Sequence, residues 1–127
     1  MGEMHDTLLK VDSTTPELGS LLQLMQSRHD AWMSRMGYRT KMEGGPHSIT
    51  SFVADVAPKY IRIVQIDAYG PQDESKSVVG FVDRRTGDVL YPKSWAGPVT
   101  KTPRGNIFDR YGCDAALSDM GTVRSLR

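Results

Sequence analysis

SITSFVADVAPKYIRIVQIDAY, residues 48–69, carries a strong strand signal. Isoleucine, valine and aromatic residues dominate it, a composition that favours strand over helix. Ala57-Pro58-Lys59 interrupts it, so it reads as two strands joined by a tight turn. In the second strand Tyr60, Arg62, Val64 and Ile66 share one face, and Ile61, Ile63, Gln65 and Asp67 share the other. The second row begins apolar and ends polar, which predicts a strand running from a buried end to an exposed one. Arg62 stands in an otherwise apolar row, at a sheet edge or on a functional face.

Reading downstream, Gly70 to Ser75 is expected to be a solvated loop. Ser77–Val82 is a further strand, and Asp83-Arg84-Arg85-Thr86-Gly87-Asp88 turns the chain back into Val89-Leu90-Tyr91. Gly87 supplies the positive φ that such a turn uses. Asp83 is placed to accept hydrogen bonds from turn amides. Arg84 and Arg85 are expected to stand in water at the tip. Upstream, TKMEGGPH (residues 40–47) is a breaker-rich, mobile joint. Before it Leu18, Leu21, Leu22, Met25, His29, Trp32, Met33 and Met36 recur at helical spacing. Thr14 and Glu17 form an expected capping box, with Pro16 in the first turn and Gly37 as the stop. The methionine-rich stripe fits core packing or a partner surface.

The pattern predicts an α+β fold: an N-terminal helix packed on a small antiparallel β-sheet, with an irregular C-terminal segment. One domain of 127 residues is expected. Residues 1–13 would be a flexible arm, 14–37 the helix, 48–92 the sheet, and 93–127 a loop-rich segment with a short helix at Asp114–Met120.

The residues give enzymes little to work with. Cys113 is the one cysteine, which rules out an intrachain disulfide and a thiolate cluster and suits a reducing compartment. It has no general base at a known motif spacing and reads as a buried or semi-exposed thiol. Asp73 and Glu74 are adjacent, not set across a substrate gap. Asp83 and Asp88 lack the alternating ligands of a calcium loop, and no glycine-rich run ends in a phosphate-binding Lys-Ser/Thr pair. His29 has no second ligand nearby and reads as a packed or partly exposed histidine. No metal or cofactor is expected, no apolar run approaches a membrane span, and the N-terminus does not read as a secretion signal.

The formal net charge of +1 offers no global argument for nucleic acid. Residues 92–127 carry six Lys or Arg against three Asp, a local charge of +3. Two readings of this segment compete. In the first, Trp95 folds back as a lid on the sheet core, held by Pro92 and Pro98. In the second, Trp95, Lys93, Lys101 and Arg104 form an aromatic and basic surface for single-stranded nucleic acid. Arg104-Gly105-Asn106-Ile107-Phe108 then turns and buries its apolar end.

Gly80-Phe81-Val82-Asp83, Thr86-Gly87-Asp88-Val89, Lys93-Ser94-Trp95, Pro98 and Arg104-Gly105-Asn106-Ile107-Phe108 together resemble a group of small proteins from tailed bacteriophages. The likeness covers residues 78–110 and hardly reaches the first 45. It implies viral origin and carries no catalytic residue. The functional expectation is a non-enzymatic phage protein acting through protein–protein contacts, in virion assembly or in the infected host. Its partners would be a second copy of itself or another phage or host protein, its place the host cytoplasm or the virion, and a homo-oligomer is expected. The alternative is a binder of single-stranded nucleic acid or a phosphate-bearing ligand. Arg84, Arg85, Lys93, Trp95, Lys101, Arg104 and Asn106 are the candidate binding residues.

Overall fold

A computed structural model describes residues 9–109 and 112–125. The order is α1 (Pro16–Met36), a 3-10 turn (Lys41–Glu43), β1 (Ile49–Val56), β2 (Tyr60–Gly70), β3 (Asp73–Asp83), β4 (Asp88–Leu90), β5 (Pro92–Ser94), β6 (Gly97–Pro98), β7 (Gly105–Asn106) and α2 (Gly112–Ala116). Five strands make one antiparallel sheet in the order β1-β2-β3-β4-β7, and β5 pairs with β6 as a separate hairpin. The helix lies on one face of the sheet, so the expected α+β architecture holds.

The meander follows from the pattern of the opening stretch. Val53 faces Val64, Arg62 faces both Asp55 and Phe81, and Ile61 lies between Val56 and Val82. Ile61, Ile63, Phe52, Val79, Val82 and Val89 are buried against Leu18, Leu21 and Met25 of α1. The methionine stripe is therefore largely core: Met25 is buried, Met33 half-buried, and only Met36 is exposed. His29 is 7 % exposed, its ring edge-on to Phe52 and tilted against Trp32.

Several expectations are corrected. Residues 73–75 are strand, paired with Gly70, Ala68 and Asp67, and the expected loop shrinks to Pro71-Gln72. Asp73 and Glu74 thus continue a solvent-exposed ribbon. Thr14 and Glu17 form no capping box. Thr15 is the N-cap, without a side-chain cap, because its hydroxyl accepts the Asp12 amide and Thr14 donates to the Asp12 carboxylate. Hydrogen bonds from the Thr14 hydroxyl, the largest cause, and then from the Thr14 amide hold the Asp12 carboxyl below its usual range. A capping box forms at Thr40 and Glu43 instead. There the joint 40–47 is tied down by Lys41 N–H to the His47 carbonyl and His47 N–H to the Arg39 carbonyl. Tyr38 and His47 stack across it at 4.4 Å. Of the expected flexible arm, residues 1–8 lie outside the described residues, whereas Val11 is 1 % exposed and docked in the core.

The C-terminal segment is better integrated than its composition suggests. Val89 pairs with Gly105 and Asp88 with Asn106, so β7 completes the sheet. Ile107, Ala116, Leu117 and Val123 are buried. The short helix ends at Ala116, four residues earlier than expected, and Ser118–Thr122 form a hydrogen-bonded turn. The backbone of Val123 then donates to Val79 of β3. Gly80 is what admits it: a Cβ there would sit 2.4 Å from a Val123 methyl.

Candidate interaction surface

The seven candidate binding residues divide by what their side chains already do. Arg84 is half-buried, not free at the hairpin tip. Its Nε donates to the Val11 carbonyl at 2.9 Å and its Nη1 to the Ala57 carbonyl at 3.1 Å. Its own carbonyl accepts the Lys10 and Val11 amides. It is a clamp joining the N-terminal segment, the β1–β2 turn and the β3–β4 turn. Arg104 donates through Nε to the Arg124 carbonyl at 3.1 Å and through Nη1 to the Thr102 carbonyl, with its guanidinium 5.3 Å from the Tyr91 ring centroid. Asn106 donates to the Thr86 carbonyl at 2.8 Å and the Asp88 carboxylate at 3.0 Å, and accepts the Phe108 amide. All three side chains are thus already engaged within the chain.

Arg85, Lys93, Trp95 and Lys101 remain exposed. They do not form one cluster. Arg85 lines a shallow hollow with Lys10, Lys59, Asp83 and Thr86. Lys93 and Trp95 belong to the β5–β6 hairpin, which lies against β3. Lys101 sits in the loop that Arg104 pins.

Trp95 corrects the lid expectation. It is 47 % exposed, and its backbone, not its ring, anchors the hairpin: Arg62 Nε donates to the Trp95 carbonyl at 2.7 Å. The same guanidinium bonds Asp55 at 2.6 Å and lies 5.0 Å from the indole centroid and 5.7 Å from the Phe81 ring centroid. Arg62 thus answers the question its apolar row raised. It spans from the sheet to the hairpin, and the indole stacks on it instead of entering the core.

Cys113 is half-buried, with its thiol 3.7 Å from the Asn106 carbonyl. Burial, and then the carboxylates of Asp114 and Asp109, push its pKa up. A thiol so placed is a poor nucleophile at neutral pH. Among the described residues no group of three His, Cys, Asp or Glu could hold a metal ion, and no helix is long and apolar enough to cross a membrane.

A different surface stands out at the sheet edge. β1 has β2 on one side and, among the described residues, no strand on the other. Thr50 donates to Asp67 at 2.6 Å, so this facing pair has its side chains close together. The Thr50 carbonyl points outward and is taken by Gln26 of α1 at 3.0 Å. Beyond Thr50, nothing among the described residues pairs with this edge. Val53 is 41 % exposed on the face away from α1, and Val56 is 39 % exposed at the strand's end. The one charge on the strand, Asp55, is already ion-paired with Arg62. Sequence reading found strand β1 but not that it would be the edge. Its second row, Phe52, Ala54 and Val56, is as apolar as that of an inner strand.

No curated protein and no solved structure matches the chain. A family model does, over residues 3–121. The whole described sheet and both helices fall within that match, and the chain belongs to the family of unknown function DUF7717.

Proposed function

We propose that the protein is a non-enzymatic module that acts through protein–protein contacts. The observation that carries this reading is the open outer edge of β1 with Val53 and Val56 exposed beside it. Edge strands of this length are ordinarily blunted by lysine, proline, a bulge or an unpaired charge. β1 pairs with β2 without a bulge, and its single acid is neutralised within the chain. An edge left unprotected serves partners that add a strand or cover an apolar strip. The resemblance to tailed-phage proteins gives the setting, virion assembly or the infected host. The test is affinity purification of tagged wild type and of the Val53→Lys/Val56→Lys double variant from cells producing the protein. A defined protein, whether a second copy or another chain, should accompany the wild type and be lost from the variant. Recovery of no protein partner with the wild type would overturn the reading.

Trp95 favours a second reading, single-strand nucleic-acid binding. Its half-exposed indole stands one residue beyond the exposed Ser94 and two beyond Lys93. On that reading Trp95→Ala weakens oligonucleotide binding by about 1–3 kcal/mol, and Lys93→Ala with Lys101→Ala lowers its salt dependence. Arg104 is left unchanged in this test, since it holds the loop. Trp95→Ala is expected to cost the fold only about 1 kcal/mol, because half of the ring is already in water. A flat titration of wild type at low salt removes the nucleic-acid reading.

A further inference from the structure

We propose that the hollow between the N-terminal segment, the β1–β2 turn and the β3–β4 turn binds a phosphate group of a multiply charged anion. This does not rest on the protein-contact reading, and it uses neither the β1 edge nor Trp95.

Three cations line the hollow, and they come from three separate parts of the chain. Lys10 precedes α1, Lys59 ends the β1–β2 turn, and Arg85 stands in the β3–β4 turn. The backbone brings them together. The Lys10 amide donates to the Arg84 carbonyl at 2.8 Å, and the Arg84 amide donates to the Lys59 carbonyl at 3.2 Å. Arg84 is thus bonded through its main chain to both lysines, and Arg85 follows it directly. The Arg84 side chain locks the same arrangement through the Val11 and Ala57 carbonyls. Like charges gathered in this way repel one another, and the clamp holds them in place against that repulsion.

Little within the chain relieves it. Among the described residues the ion pairs are Arg28 with Asp114 and Arg62 with Asp55, and no carboxylate pairs with Lys10, Lys59 or Arg85. The Lys59 ammonium lies 5.4 Å from the centroid of the Tyr60 ring. The acid at the hollow, Asp83, has one oxygen engaged by the Arg85 amide at 2.8 Å. The lining residues carry a local charge of +2, more than the formal +1 of the whole chain.

The chemistry of the lining selects the ligand. Apart from Asp83, the hollow offers two ammonium groups, a guanidinium and the Thr86 hydroxyl. That hydroxyl accepts the Asp88 amide and so keeps its proton for a ligand. A ligand rich in acceptor oxygens and negative charge complements these donors, and a phosphate group has three such oxygens. A lone carboxylate, with one negative charge, would leave half of the local charge unanswered. The hollow, at about 490 Å³, also has room for a diphosphate. A free polyphosphate and the backbone of a nucleic acid both present this chemistry.

The test is calorimetric titration of the full-length protein at low ionic strength with two ligands, inorganic pyrophosphate and a short oligothymidylate. At least one should bind saturably, and more weakly as salt rises. Lys59→Gln and Arg85→Gln should each weaken binding about three- to tenfold, the scale of an exposed charge facing a doubly charged anion. Asp83→Asn keeps an oxygen for the Arg85 amide and removes the acid, so it should tighten binding by a similar factor. The control is Lys93→Gln/Lys101→Gln, which removes two exposed cations elsewhere and should leave affinity within about twofold. Thermal melts at the wild-type temperature establish that each variant is folded. Pyrophosphate binding assigns the hollow to small polyphosphates, and binding of the oligothymidylate alone assigns it to a nucleic-acid backbone. Either result supports the site when Lys59→Gln/Arg85→Gln abolishes it. Failure of both ligands to bind the wild type would overturn the proposal, as would equal losses in Lys59→Gln/Arg85→Gln and Lys93→Gln/Lys101→Gln.

Discussion

Gly121→Ala is expected to destabilise the protein by about 2–5 kcal/mol. Gly121 has φ +88°, and a Cβ there would lie 2.3 Å from the Met25 carbonyl of α1. The left-handed conformation costs a non-glycine residue about 1–2 kcal/mol, and the clash adds about 1–3 kcal/mol because the obstacle is helix backbone. The turn cannot simply swing away. Leu117 and Val123 on either side of it are buried, and Arg28 holds the Leu117 carbonyl at 2.9 Å and Asp114 at 3.1 Å. Urea unfolding should show a lower midpoint with an unchanged slope. Gly19→Ala is the control. It sits in α1 with nothing within 4 Å of the added Cβ, and should stabilise by about 0.5–1 kcal/mol.

Arg84→Ala is expected to cost about 2–3 kcal/mol, whereas its neighbour Arg85→Ala should stay within about 0.5 kcal/mol. The two arginines are adjacent in sequence and differ in environment. Arg84 reaches the carbonyls of Val11 and Ala57 with separate nitrogens, so its removal leaves those acceptors with one partner fewer. Arg84→Lys should restore little, since one ammonium cannot serve two carbonyls in diverging directions. Amide exchange makes the effect local: the Lys10 and Val11 amides, both bonded to the Arg84 carbonyl, should lose protection before those of β2. Equal effects at positions 84 and 85 would mean the clamp contributes nothing.

Most of the sheet was legible in the sequence. Alternation in Ile61–Asp67, the breaker at Ala57-Pro58-Lys59 and the Thr86-Gly87 turn are local signals, and each strand they predict exists. The C-terminal segment was less legible because its order comes from distant partners. Leu117 and Val123 are isolated apolar residues whose burial depends on α1 and β3. Gly80 was the available hint, as a glycine within a strand often marks a close approach. The candidate site suffered from the same limit. Arg84, Arg104 and Asn106 resemble free binding residues in one dimension, and only the fold brings backbone acceptors to them. Of the two readings of Trp95, the lid suits a tryptophan between two prolines, yet the indole stays half in water. It was the backbone carbonyl of Trp95, not its ring, that Arg62 engaged. The unpaired edge of β1 has no sequence signature, since strand order is a property of the whole meander.

The Arg84 clamp and the Arg28 anchor also bear on how the chain reaches its native state. The clamp joins positions 73 apart to the Val11 carbonyl, and the anchor joins positions 89 apart to Leu117. The β1–β2 and β2–β3 hairpins, by contrast, close through neighbours in the chain and can zip without help from the ends. Loop closure over such separations must be met before the contacts it brings return anything, which slows folding. By sequence separation alone, the hairpins are the contacts that cost least to close, and the docking of the N- and C-terminal segments on β3 and its turn costs most. The cost of joining the two segments thus falls on positions where the strands themselves have no say, and a longer or looser connection to either segment would raise it.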